Sequence, residues 1–221
     1  MASSHPVILA IETSQRLGGI AVRDRSGRVH VEPLVADLRH DDDLLPAIRS
    51  AIDANRADLY LQPIVTLPQR KVRYYEALTR LRTEDGTLLQ PSEFLAPAEA
   101  NGLIAPIDNL ELFRCVQVVK RLTQKQRDVG IFCNISGHTL RDNAFFPQFL
   151  EYLGQHRELA GQIVFEFDQD AVMAARGPEE KNLRALAELG FRLSMDQVTK
   201  LDIDFGRLKR LGFQFLKVRA A

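Results

Sequence analysis

The sequence predicts an α/β protein: an incomplete β/α (TIM-like) barrel behind a small β-hairpin and helix segment. Two observations predict it. From residue 59 onward, short apolar runs of strand character alternate with amphipathic helical stretches across brief breaks, the pattern of parallel strands joined by right-handed crossovers. A polar residue also stands at or near the end of several runs: Glu76, Asn134, Glu166, Asp196 and Lys217. In a β/α barrel such strand ends converge on one mouth, where sites are built.

The 221 residues allow one or two domains and a sizeable core. A hydrophobic content of 45% beside 26% charged residues describes a globular chain. Twenty-nine basic residues balance 29 acidic ones, so no net field favours nucleic acid or a membrane surface. Any partner must be held by a local site. Cys115 and Cys133 lie in apolar runs without disulfide or zinc spacing, which suits a reducing, cytoplasmic setting. No apolar run is long enough for a membrane span and no signal-peptide pattern is present.

Residues 1–54 form a first segment. Val7–Ile11 is a continuous apolar run, a second strand covers Gly19–Arg23, and a third runs from Arg28 to Val35 after a turn at Ser26-Gly27. Asp41-Asp42-Asp43 then open a helix through Leu44, Leu45, Ile48 and Ile52, with acids where the helix dipole favours them. The boundary is placed at Asn55–Asp58.

Residues 55–221 carry the alternation. Strands are expected at Leu59–Val65, around Glu76, at Gly130–Ser136, Ile163–Phe167, Phe191–Met195 and Phe213–Val218. Helices are expected from Pro91 to Asn101-Gly102, over Ile107–Leu122, Phe146–Leu153 and Pro178–Leu189, and over Phe205–Leu211. In the second of these, Leu110, Phe113 and Val116 read as one face, with Gln117 and Lys120 as the other. His138 reads as a solvated loop histidine, while Phe145, Phe146, Phe213 and Phe215 read as core. A carboxylate such as Glu76 inside an apolar strand is costly unless it is paired or holds a metal. Three carboxylates and an amide on one rim are hard oxygen ligands, the set that suits Mg²⁺ or Mn²⁺.

Residues 59–218 resemble the EAL domain, the barrel that hydrolyses the bacterial second messenger cyclic di-GMP. The matching words are Gln62-Pro63-Ile64-Val65; Glu76-Ala77-Leu78 with Arg80; Pro91, Phe94, Leu95, Ala98, Glu99, Gly102, Leu103 and Ile104; Asn134-Ile135-Ser136; and Glu166. The resemblance implies that Glu76, Asn134, Glu166 and Asp196 are metal ligands and that Lys217 orients the attacking water. It also implies that Gln62, Arg80 and Glu76 contact the ligand, Arg80 through its planar fork. Intact members place two metals at the phosphodiester.

The departures from that pattern are equally specific. The second aspartate of the D-D-F-G-T-G segment is Gln197, and its glycines are Thr199 and Leu201. The second glutamate of E-I-T-E is Gln169, and the aspartate after Lys217 is Arg219. These changes imply a degenerate, non-catalytic member: a cyclic di-GMP receptor or docking module with at most one weakly held Mg²⁺ or Mn²⁺. Phe113–Gln117 and Gly130–Asn134 are similar to TipF-like flagellum-assembly receptors. A residual phosphodiesterase producing pGpG is the alternative. Residues 7–52 resemble TsaB-like subunits of tRNA threonylcarbamoyladenosine synthesis through Ile8–Ser14 and through His40 with Leu44-Leu45-Pro46. About six strand units where a barrel uses eight imply an open edge, hence a protein partner or a homodimer.

Overall fold

A computed structural model describes the backbone over residues 8–12, 18–23, 29–34, 41–125 and 129–219, and side chains from residue 44 onward. Thr13-Ser14, the Ser26-Gly27 turn and His40 lie outside the described residues. The chain divides into two compact units, Met1–Leu44 and Leu45–Ala221. In the first, β1 (Ile8–Glu12), β2 (Gly18–Arg23) and β3 (Val29–Leu34) form an antiparallel sheet in that order. The helix α1 (Asp41–Asp53) spans the division, with Ile48 and Ala51 buried.

The second unit holds a seven-stranded sheet. Its strands are β4 (Ala57–Val65), β5 (Val72–Arg82), the short β6 (Leu88–Leu89), β7 (Gly130–Asn134), β8 (Ile163–Asp168), β9 (Arg192–Val198) and β10 (Phe213–Val218). Spatial order is β10-β9-β8-β7-β5-β4, with β6 beside β5. Strands β5, β7, β8, β9 and β10 are parallel, as the alternation predicts. The parallel expectation fails at β4, which runs antiparallel to β5. The turn between them is too short for a crossover, so the pair closes as a hairpin.

The period-2 alternation of β5 divides the two faces of the sheet. Ala77, Thr79 and Leu81 are buried on one face; Tyr74, Glu76, Leu78 and Arg80 lie on the other. The buried face packs with Cys133, Phe165, Phe167, Leu193 and Met195 against the helices. Those include α2 (Pro91–Ala100), α3 (Ile104–Gln124), α4 (Gly137–Arg141), α5 (Phe145–Gln155), α6 (Gln169–Ala174), α7 (Gly177–Glu188) and α8 (Phe205–Leu211). Gly130 opens β7 without a side chain for a steric reason: a Cβ there would lie 2.7 Å from Cδ1 of Tyr74.

The faces of α3 differ from the sequence expectation. Its buried stripe is Ile104, Ile107, Asp108, Glu111, Leu112, Cys115, Val116 and Val119, while Phe113 is exposed. Two acids therefore lie in the core beneath the sheet. His138 is exposed but sits in the first turn of α4, capped by Ser136, whose Oγ accepts from Thr139 N at 3.0 Å.

Candidate functional site

Register brings the polar strand ends to one face. Glu76 lies opposite Phe132, Asn134 beside Glu166, and Glu166 beside Ser194. Oxygens of Glu76, Glu166 and Asp196 all come within 4.8 Å of one another. The Lys217 ammonium sits among them, 2.9 Å from Glu76 Oε1, 2.8 Å from Glu166 Oε2 and 3.7 Å from Asp196 Oδ1. Ser194 Oγ donates to the other oxygen of Glu166 at 3.0 Å.

Burial sets the electrostatics. Glu166 is 1% exposed, and burial pushes its carboxyl up to about 7 against the downward pull of Lys217. Burial pulls the Lys217 ammonium down, but Glu166 and Glu76 outweigh it and hold the ammonium above its ordinary value. One ammonium faces three carboxylates, so the cluster keeps an excess of negative charge that favours a cation.

Asn134 is held from behind. Its Nδ2 donates to Ala77 O at 3.0 Å and to Glu111 Oε1 at 3.3 Å, and its backbone N–H donates to the same Oε1 at 2.8 Å. Thr79 Oγ1 donates to Glu111 Oε2 at 2.7 Å. One turn earlier on α3, Asp108 accepts from Ser136 N at 2.8 Å and Thr139 Oγ1 at 2.6 Å. Burial raises Glu111 to about 7 and Asp108 to about 6. Sequence reasoning missed both acids. Their spacing with Ile104, Cys115 and Val119 places them on one helical stripe, and that periodicity was the available signal.

The residues that depart from the EAL pattern have definite local roles. Gln197 has a left-handed φ of +54°, is exposed, and donates from Nε2 to Asp196 Oδ2 at 3.3 Å. Among the described residues of the loop after it, Thr199 and Leu201 keep negative φ, so this loop follows a path that needs no glycine there. Gln169 is buried; its Nε2 donates to Lys200 O at 2.7 Å, and its Oε1 accepts from Thr199 N at 3.0 Å and Lys200 N at 3.2 Å. A glutamate could accept in that place but could not supply the donor. Arg219 is exposed, with its backbone N–H bonded to Val198 O.

Gln62 and Arg80 lie on the same sheet face as Glu76. Gln62 is the register partner of Glu76 and is exposed; Arg80 lies over the Tyr60 ring at 5.5 Å and donates to Thr79 O at 2.9 Å.

The model of the EAL domain family matches residues 46–221. The chain belongs to the EAL domain family. This EAL domain is 28% identical over 171 residues to the signaling protein YkoW of Bacillus subtilis, covering 77% of this chain and 21% of that protein. It is 27% identical over 176 residues to the cyclic di-GMP phosphodiesterase PdeB of Shewanella oneidensis, covering 77% of this chain and 20% of that one. The chain thus spans about a fifth of the length of these relatives. Among solved structures, the FimX EAL domain of Pseudomonas aeruginosa bound to cyclic di-GMP superposes with a TM-score of 0.66 at 25% identity, over 80% of this chain and 71% of that one. The PaMucR phosphodiesterase in complex with cyclic di-GMP gives 0.69 at 25% identity, over 80% and 72%. The similar proteins thus include a named cyclic di-GMP phosphodiesterase and EAL structures that hold cyclic di-GMP. Among the described residues, no helix is long and apolar enough to cross a membrane.

Proposed function

We propose that this EAL domain is a receptor that holds cyclic di-GMP and does not hydrolyse it at a useful rate. Gln197 carries the reading. At the position of the family's second aspartate it offers a neutral amide, and its Nε2 is turned toward Asp196 as a donor. Glu76, Glu166 and Asp196 supply hard oxygens for one Mg²⁺ or Mn²⁺, and Asn134, beside Glu166 in register, would add its amide oxygen. A bound ion there would polarise a phosphoryl oxygen. A second ion would lack its carboxylate, and losing one member of such a catalytic unit commonly costs orders of magnitude in rate. Arg80 has the planar fork that suits a phosphate, and Gln62 stands exposed beside Glu76 on the same face. A protein partner or a second copy would read the bound state.

A residual phosphodiesterase is the second reading, favoured by Lys217 and three carboxylates standing assembled. Calorimetric titration with cyclic di-GMP, with and without Mn²⁺, is paired with an assay for pGpG. Binding heat without pGpG is the expected result. Product that vanishes in Glu76→Ala would replace the receptor by an enzyme. Absence of heat at high micromolar nucleotide would leave a docking module alone.

A further inference from the structure

The contacts behind Asn134 go beyond the ligand set itself. Both hydrogens of its amide are engaged, one by Ala77 O and one by Glu111 Oε1. The opposite flip would set an amide oxygen against two acceptor oxygens, so these partners fix which end of the amide points away from them. That end is Oδ1, and no described donor reaches it. Asn134 stands beside Glu166 in register on the adjacent strand.

Glu111 is a costly way to arrange this. It is 5% exposed and forms no ion pair with a described Lys, Arg or His. A leucine at that place on the α3 stripe would pack without burying a charge. Instead both oxygens of Glu111 are committed, Oε2 to Thr79 and Oε1 twice to Asn134.

We propose that Glu111 is a positioning residue for the cation site: it locks the Asn134 amide so that Oδ1 is presented as a metal-facing oxygen. The inference rests on the metal part of the reading above. Groups that orient a ligand from behind the coordination sphere commonly alter metal affinity by about 10–100-fold when removed.

The test uses Glu111→Leu, which keeps volume and removes both acceptors, and Glu111→Gln, which keeps one carbonyl oxygen. Each is made in the whole chain and in an Asn134→Ala background. Mn²⁺ titration should show at least about tenfold weaker binding in Glu111→Leu, most of it recovered in Glu111→Gln. With Asn134→Ala present, Glu111→Leu should add almost nothing, because the two groups act as one unit. Equal weakening in both backgrounds would reduce Glu111 to a merely structural role and overturn the proposal.

A readout without metal separates this from the reading it rests on. The Asn134 side-chain amide is assigned in ¹H–¹⁵N spectra by its loss in Asn134→Ala. Its protons should exchange with water about tenfold faster in Glu111→Leu, the loss of a hydrogen bond to a charged acceptor. Unchanged exchange overturns the lock whether or not Mn²⁺ binds. A wild-type chain that takes up no Mn²⁺ would overturn the metal-facing role while the exchange data still decide the lock. Should Glu111→Leu fail to fold, Glu111→Met removes the same two acceptors on a more flexible stem and is read by the same exchange measurement, with the same refuting result.

Discussion

Replacing Lys217 by Met keeps the apolar stem and removes the only ammonium facing Glu76, Glu166 and Asp196 among the described residues. Their oxygens lie within 4.8 Å of one another, so at an effective dielectric of about 20 each ionised pair repels by at least about 3.5 kcal/mol. Three ionised carboxylates without a cation are not tenable. Glu166, already raised to about 7 by burial, is the one that takes a proton. Holding that proton costs about 1.4 kcal/mol for each pH unit above the group's pKa. At pH 8, about one unit above that value, the proton accounts for about 1.4 kcal/mol of destabilisation. The lost Lys217 contacts with Glu76 and Asp196 should roughly double this to about 3 kcal/mol, the lower end of the range for breaking a buried ion pair. At pH 5.5 Glu166 is largely neutral in both proteins, and the loss should fall to roughly half. Urea denaturation of both proteins at the two pH values measures this. A loss that is equal at both, or smaller than about 0.5 kcal/mol at pH 8, would refute a cluster held together by Lys217.

Three acids make the wild-type protein itself pH-sensitive. Asp108 at about 6, and Glu111 and Glu166 at about 7, bind protons more tightly folded than unfolded, because burial opposes their charge. Their contribution is full below about pH 4 and lost as pH rises through about 6 to 7, so the urea midpoint should be higher at pH 5.5 than at pH 8; the reverse order would remove these groups as the cause. Cys115 and Cys133 are buried; burial pushes the Cys115 thiol up, and the hydrogen bond with Cys115, together with burial, pushes the Cys133 thiol well up. Neither should react with a thiol reagent in the native protein and both should react in urea; rapid native labelling would contradict the buried packing of α3 on β7.

Much of the site was legible because carboxylates inside apolar strands are rare and strand ends converge. Glu76, Glu166, Asp196 and Lys217 follow from that alone, and the structure brings their charged ends together. Asn134 was legible as a strand-end residue, but its orientation was not, since it depends on Glu111, 23 positions earlier on a helix. A helical glutamate defaults to the surface in any reading by residue type; only its place on the buried stripe argues otherwise. Gln169 reads in sequence as a lost carboxylate. Its bonds to Thr199 and Lys200, some 30 residues onward, exist only once the sheet has formed.

The antiparallel start of the sheet has a consequence for how this unit folds. Strands β4 and β5 pair through a local hairpin, whereas each later strand must wait for a helical crossover to close. Local pairings form in microseconds and distant ones pay loop-closure entropy first. We expect the hairpin to be the template on which β7, β8, β9 and β10 are laid in turn. Substitutions at Leu59 or Ala77 should then slow refolding, while those at Phe213 should chiefly hasten unfolding. The opposite partition would mean that assembly begins from the β10 side.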